Sequence, residues 1–240
     1  MANEGDFESR QDSSVELTKS QINRLGDRLR KGEVTEADHR LLDKYRLSFS
    51  EAYETVVGQI RGRLGLEPTG RRGKTTKAII EKLRREKTRL AEMQDIAGCR
   101  VITKTLLDQD RIVAQLQQIF DGVVFDRRYR PSHGYRAVHV IVKQFYKPVE
   151  IQVRTSLQHA WAERSEKLSD EFGHEIKYGG GNRQISSSLE RLSEAIFGFE
   201  EVRDSAMDYD NFDKIVVHGD NLVEEFKRLL EISESERGKR

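Results

Sequence analysis

Leucine, isoleucine and valine recur at three- and four-residue intervals near residues 15–30, 36–64, 76–89, 108–120, 156–171, 184–206 and 221–233. That spacing buries one face of a helix and predicts seven helical segments. Between them, β-branched runs at 98–103, 123–128, 137–144 and 149–155 predict strands. In PVEIQVRT (148–155) the alternation is strict, with Val149, Ile151 and Val153 on one face and Glu150, Gln152 and Arg154 on the other. In the preceding run, Val138, Val140 and Val142 oppose Tyr135, Ala137 and His139 in the same way. An acid, an amide and a base in a row make a costly surface to cover. Such a face either meets water on an open sheet side or lines a cleft.

The sum of these elements is a mixed α/β fold, a sheet of about five strands flanked by helices. In KYGGGN (177–182) three glycines cannot continue a helix cheaply, so they separate a mixed portion from an all-helical tail. The expected organisation is a polar, disordered segment at 1–13, one catalytic domain at 14–180 including the first helices, and a helical tail at 181–240.

Composition narrows the classes. The 240 residues are 36% hydrophobic and 35% charged, a heavily solvated chain able to bury a sizeable core. No stretch approaches the ~18 apolar residues of a membrane span. The start, MANEGDFESRQDSS, has no apolar signal core, so residence in the cytoplasm is expected. The single cysteine, Cys99, excludes an internal disulfide and a cysteine-based zinc site.

A net charge of +1 hides an uneven distribution. Residues 61–90 hold eleven Lys or Arg against three Glu, a surplus of eight, which leaves minus seven for the other 210 residues. This basic block is either an anion site, with phosphate the natural anion, or a solvated helix face. Within it, PTGRRGKT (68–75) approaches a phosphate-binding P-loop, but Pro68 stands where the first glycine belongs and helical residues precede it. What survives is physical: Gly70, Gly73, Lys74 and Thr75 open a helix, whose free N–H groups favour a phosphate. His133 and His139 lie six apart across a loop-to-strand junction with no third ligand in phase, so they do not make a metal pair. Asp95, before a small-residue turn into a strand, and Glu150 offer carboxylates from two strands of one sheet. Mg²⁺ held between protein and triphosphate needs that arrangement. Tyr135, flanked by arginines in YRPSHGYR (129–136), reads as a base-stacking platform or as an ordinary loop aromatic packed on the core.

Taken in order and at these separations, DIAGCRVI, HGYRAVHV and VEIQVRTSLQHAWAE resemble the synthetase domain of the RelA/SpoT family, and RRGKTTKAIIEKL upstream resembles its ATP-binding segment. The resemblance covers roughly residues 50–180 and implies a nucleotidyltransferase-like sheet. It also implies pyrophosphate transfer from ATP to the 3′-hydroxyl of GDP or GTP, giving ppGpp or pppGpp and AMP. Matched residue by residue, Asp95 and Glu150 fall on the catalytic and Mg²⁺-binding carboxylates, and Arg72, Lys74, Lys82 and Arg84 on positions that grip ATP phosphates. Arg100 falls near the transferred group and Tyr135 on the tyrosine that stacks on the acceptor base. Arg136, His139, Gln152, Arg154 and His159 lie on the acceptor side, whereas Trp161 reads as core. The chain has no His-Asp dipeptide of the family's hydrolase domain, only Asp38-His39 in reverse, and so resembles the short, synthetase-only branch. Some members of that branch are toxins that pyrophosphorylate the 3′ end of tRNA and have a neutralising antitoxin. A tRNA acceptor, such a partner and a homo-oligomer are therefore also implied possibilities; a catalytically silent nucleotide-binding module is the third reading.

Overall fold

A computed structural model describes residues 17–71, 73–205 and 212–239. The segment 1–13 and Arg72 therefore lie outside the described residues. The chain forms two compact units, Met1–Tyr45 with Thr75–Met93, and Arg46–Lys74 with Gln94–Arg240.

The first unit contains α1 (Lys19–Lys31), most of α2 (Glu36–Leu47), α4 (Thr76–Arg85) and a 3₁₀ turn at Leu90–Glu92. Its core is Leu25, Leu29, Leu42, Ile79, Leu83 and Leu90, all buried. Gly26 is required where α1 crosses the 3₁₀ turn, because a Cβ there would sit 2.7 Å from that of Leu90. Asp38 accepts from Arg28 Nε at 3.0 Å and from the Thr35 hydroxyl at 2.9 Å, tying α1 to the start of α2. The Arg28 guanidinium beside it, with the Thr35 amide, lowers the Asp38 carboxyl to about 2.

The second unit holds α3 (Ser50–Leu64) and a five-stranded mixed sheet: β1 (Thr69–Arg71), β2 (Ala97–Thr103), β3 (Val123–Asp126), β4 (Val138–Gln144) and β5 (Lys147–Thr155). It also holds α5 (Leu106–Ile119), α6 (Ser156–Phe172), α7 (Arg183–Ser205) and α8 (Phe212–Gly238). The strand order is β1-β2-β5-β4-β3, with β2 and β5 parallel and the other pairs antiparallel.

Register turns the sequence alternation into rungs. One face stacks Ala97–Val149–Val142, Cys99–Ile151–Val140 and Val101–Val153–Val138, every one buried. Helices α3 and α5 cover this face. At ~1.5–3 kcal/mol for each fully buried aliphatic side chain, these rungs fix the strand register, since a one-residue slip would expose all of them. The opposite face stacks Gly98–Glu150–Ile141 and Arg100–Gln152–His139, with Arg154 beyond. A second cluster, Trp161, Leu168, Ile185, Leu189, Leu192, Ile196 and Leu229, joins α6, α7 and α8.

Four expectations need correction. The helix expected over 36–64 breaks at Ser48–Phe49 into α2 and α3, with Phe49 buried as the cap of α3. The helix expected over 76–89 stops at Arg85, where Glu86 turns extended. The last helix starts at Phe212 and runs to Gly238, well beyond the expected 221–233. Strand β1 was not expected: three residues give too short a run for alternation to register, yet Gly70 must be glycine because a Cβ would lie 2.4 Å from the Gly98 carbonyl. A strand therefore does precede the Lys74–Thr75 turn, but Gly70 is inside it and Pro68 before it, so the glycine spacing of a P-loop is still lacking.

Candidate active site

The polar face of the sheet in the second unit carries a closed ring of hydrogen bonds around Glu150. One carboxylate oxygen accepts from His139 Nδ1 at 2.7 Å and the other from the Gln152 amide at 2.7 Å. The Gln152 carbonyl accepts from Arg154 at 2.7 Å, and Arg154 also donates to the Tyr135 hydroxyl at 2.9 Å. Tyr135 closes the ring on His139 Nε2 at 3.1 Å. With Glu150 ionised and the imidazole neutral, every group has a consistent role: arginine and amides donate, the tyrosine hydroxyl donates to Nε2, and Nδ1–H donates to the carboxylate.

Burial alone would push the Glu150 carboxyl up. The hydrogen bonds from His139 and the Gln152 amide outweigh it and hold the carboxyl below the usual range. Opposite Glu150 on β2 stands Gly98, so no β2 side chain covers the carboxylate.

Asp95 enters from the segment just before β2. The Lys74 amide donates to the Ile96 carbonyl at 2.6 Å, which pins the β1–α4 turn beside the start of β2. Lys74 Nζ then reaches Asp95 Oδ2 at 2.5 Å, both side chains about 15% exposed. Asp95 is close enough to Glu150 to oppose its ionisation.

Arg100, one rung along from Glu150, is half-buried, and among the described residues it has no hydrogen-bonded or ion-paired partner; its Nε is fully covered. Burial, then the neighbouring Arg154, lowers its pKa. His159 on α6 is likewise lowered by burial and then by Arg100. Among the described residues Arg154 donates only to neutral groups. Among the described residues no carboxylate is bonded to Arg100 or Arg154, although Glu166 and Glu163 lie near enough to favour the charge of Arg100.

The structure thus brings together Lys74, Asp95, Arg100, Tyr135, His139, Glu150, Gln152, Arg154 and His159. It leaves Arg136 out: that guanidinium is 4% exposed and is held by the Ser193 hydroxyl at 3.0 Å, Glu194 at 2.8 Å and the Arg128 carbonyl. Lys82 and Arg84 belong to the first unit, where Arg84 donates to the Arg30 carbonyl. His133 lies 3.7 Å from Glu190 and away from His139's ring of bonds. Tyr135 is half-buried against the Trp161 cluster, with the Arg154 guanidinium 5.0 Å from its ring centre. Sequence reasoning missed the Lys74–Asp95 pair and the gap left by Gly98. The small-residue run AGC at 97–99 was the available signal for the latter.

No group of three or more metal-ligating side chains exists among the described residues. The donors present, Asp95 and Glu150, are hard oxygens that suit Mg²⁺ sharing its shell with phosphate oxygens.

Residues 71–178 match the family model described as the region found in RelA / SpoT proteins. An uncharacterised protein of Mycobacterium tuberculosis is 32% identical over 176 residues, covering 70% of this chain and 64% of the relative. The chain therefore spans less than two thirds of the length of that curated relative. Among solved structures, the small alarmone synthetase 1 from Bacillus subtilis bound to its product pppGpp is 26% identical with a TM-score of 0.52, covering 72% of this chain and 100% of that one. A GTP pyrophosphokinase family protein from Streptococcus pneumoniae shares the fold at 24% identity and a TM-score of 0.52, covering 77% of this chain and 98% of that one.

Proposed function

This chain belongs to the RelA/SpoT family, and on that premise we propose that it transfers pyrophosphate from ATP to the 3′-hydroxyl of GDP or GTP, forming (p)ppGpp and AMP. The observation that carries the reading is an ionised, ring-held Glu150 on the same sheet face as Arg100, which has no bonded partner among the described residues. The carboxylate retains lone pairs toward the open Gly98 side, where an acceptor hydroxyl can donate to it. A carboxyl held below its usual range is a weak base. Its work is to orient the hydroxyl and favour the developing positive character at that oxygen, which a loose phosphoryl transition state needs more than early deprotonation. The hydroxyl oxygen attacks the β-phosphorus of ATP, the bond from that phosphorus to the bridging oxygen breaks, AMP departs with the oxygen, and the hydroxyl proton passes to Glu150 late, as the new bond completes. Arg100 and Arg154 supply fixed positive charge where the transferred oxygens gain negative charge, in a partly desolvated site where such charge counts most. Tyr135 is placed to stack on the acceptor base.

Asp95 and Glu150 would hold Mg²⁺, which when bound neutralises triphosphate charge. Lys74 then serves Asp95 and the phosphates together.

A tRNA 3′ end is the second acceptor reading. It is favoured by one observation: Lys77, Arg84, Arg85, Lys87 and Arg89, in and just after α4, are all exposed. Incubating the purified chain with γ-³²P-ATP and GDP, GTP or deacylated tRNA decides between them. Label on GDP or GTP supports the first reading; label on tRNA alone replaces it with the second; label on none refutes transfer.

A further inference from the structure

The loop that presents Tyr135 is seated by α7, a helix beyond the residues matched to the family. Between β3 and β4 the chain makes a tight turn, Ser132–Tyr135, with both central residues at positive φ, His133 at 51° and Gly134 at 82°. Gly134 is demanded twice, by its conformation and by space: a Cβ there would be 2.7 Å from the Trp161 ring and 3.2 Å from the Ser193 side chain. Ser193, 2% exposed on α7, donates its hydroxyl to the Gly134 carbonyl at 2.5 Å and accepts from Arg136 Nε at 3.0 Å. Arg136 continues to Glu194 at 2.8 Å and lies 4.3 Å from the Phe197 ring centre. The carbonyl before Tyr135 and the side chain after it are therefore tied to one helix, while the Tyr135 hydroxyl is spent on Arg154 and His139.

We propose that Ser193 is a positioning residue for the acceptor: through the Gly134 carbonyl and Arg136 it fixes Tyr135 at the height from which it meets both the Glu150 ring and an acceptor base. This rests on the proposed transfer to GDP or GTP. It adds that α7 is part of the acceptor site, so displacement of α7 lowers acceptor use without touching ATP use. Without the hydroxyl, a buried carbonyl and a buried guanidinium each lose a partner, which favours a shifted loop.

The test uses Ser193→Ala in the full chain, with Ser188→Ala as control. Ser188 is an equally buried serine of α7 whose hydroxyl accepts from Arg191, away from the Tyr135 loop. Trp161 is the only tryptophan and touches the Gly134 position, so its emission reports the loop. Three readouts are needed: GDP binding by Trp161 fluorescence without ATP, KM for GDP and for ATP, and hydrogen exchange of 131–137 without nucleotide. Ser193→Ala should weaken GDP binding and raise its KM about tenfold, leave KM for ATP within about twofold, and speed exchange of the loop. Ser188→Ala should lower stability alone. Unchanged loop exchange, or equal rises in both KM values, overturns the proposal. If the wild type neither binds GDP nor labels it, the reaction reading fails, and loop exchange by itself decides whether Ser193 seats Tyr135.

Discussion

Replacing Glu150 by glutamine separates the chemistry of the ring from its architecture. The substitution keeps shape and removes charge. Two charge-assisted hydrogen bonds at 2.7 Å become neutral ones, a loss of about 1 kcal/mol each at most. A new amide also sets N–H against an existing donor. The conflict resolves on the His139 side, where moving the ring proton to Nε2 lets Nδ1 accept, while the Tyr135 oxygen has room for a second donor. The carboxylate's desolvation cost disappears at the same time, so net stability should shift by no more than ~1–2 kcal/mol, a few degrees in Tm for a chain of this size. The rate should respond differently. Loss of one preorganised charged acceptor at the reacting hydroxyl raises a barrier by ~3–4 kcal/mol, about 10²–10³ in kcat. Labelled-phosphate transfer to GDP at saturating ATP measures the rate, and thermal melting the stability. Because the folded carboxyl lies below its usual range, the active, charged form should persist through mildly acid pH and vanish only as pH falls through that lowered value. Turnover within tenfold of wild type in a well-folded Glu150→Gln protein would refute the role assigned to Glu150.

Three further outcomes follow from the same geometry. Asp38→Asn should destabilise the chain at pH 7 by about 1–2 kcal/mol; since Asp38 is lowered from 3.8 to about 2, the difference from wild type in urea titrations should be complete above pH 4 and fade toward pH 2. Glu200 is fully buried, and burial raises its carboxyl above the usual 4.5, so its stabilising neutral form is lost as pH rises beyond that; Glu200→Gln should flatten that decline, and an unchanged slope would show the decline arises elsewhere. Arg100→Met should abolish labelling of any acceptor yet leave Tm unchanged or higher, because a half-buried cation with no bonded partner among the described residues is removed; a clear fall in Tm would mean Arg100 is structural.

Alternation made most of the sheet legible, because three buried rungs require period two on β4 and β5 and nearly so on β2. It also put Glu150, Gln152 and Arg154 on one face before any partner was known. What alternation cannot express is the third dimension of that face. His139 pairs with Gln152 by register, yet its ring nitrogens go to Glu150 and Tyr135, so the ring of bonds depends on side-chain direction across strands. β1 was invisible because three residues carry no period. The break at Ser48–Phe49 was invisible because Phe49, an apolar residue in helical phase, serves as a buried cap.

Arg136 shows why an adjacent pair of polar residues can divide its labour. Arg136 follows Tyr135 directly, and in sequence the two read as one platform flanked by charge. Residues 136–137 lead from Tyr135 into β4, and while the Tyr135 hydroxyl reaches His139 in the Glu150 ring, the Arg136 guanidinium goes to Ser193 and Glu194 of α7. A guanidinium only 4% exposed demands partners, which Ser193, Glu194 and Phe197 provide. On the proposed function the platform and core readings of Tyr135 are compatible: an aromatic that is to hold a base at a fixed height beside a carboxylate has to be anchored on its far side. Packing against the Trp161 cluster is how this chain anchors it.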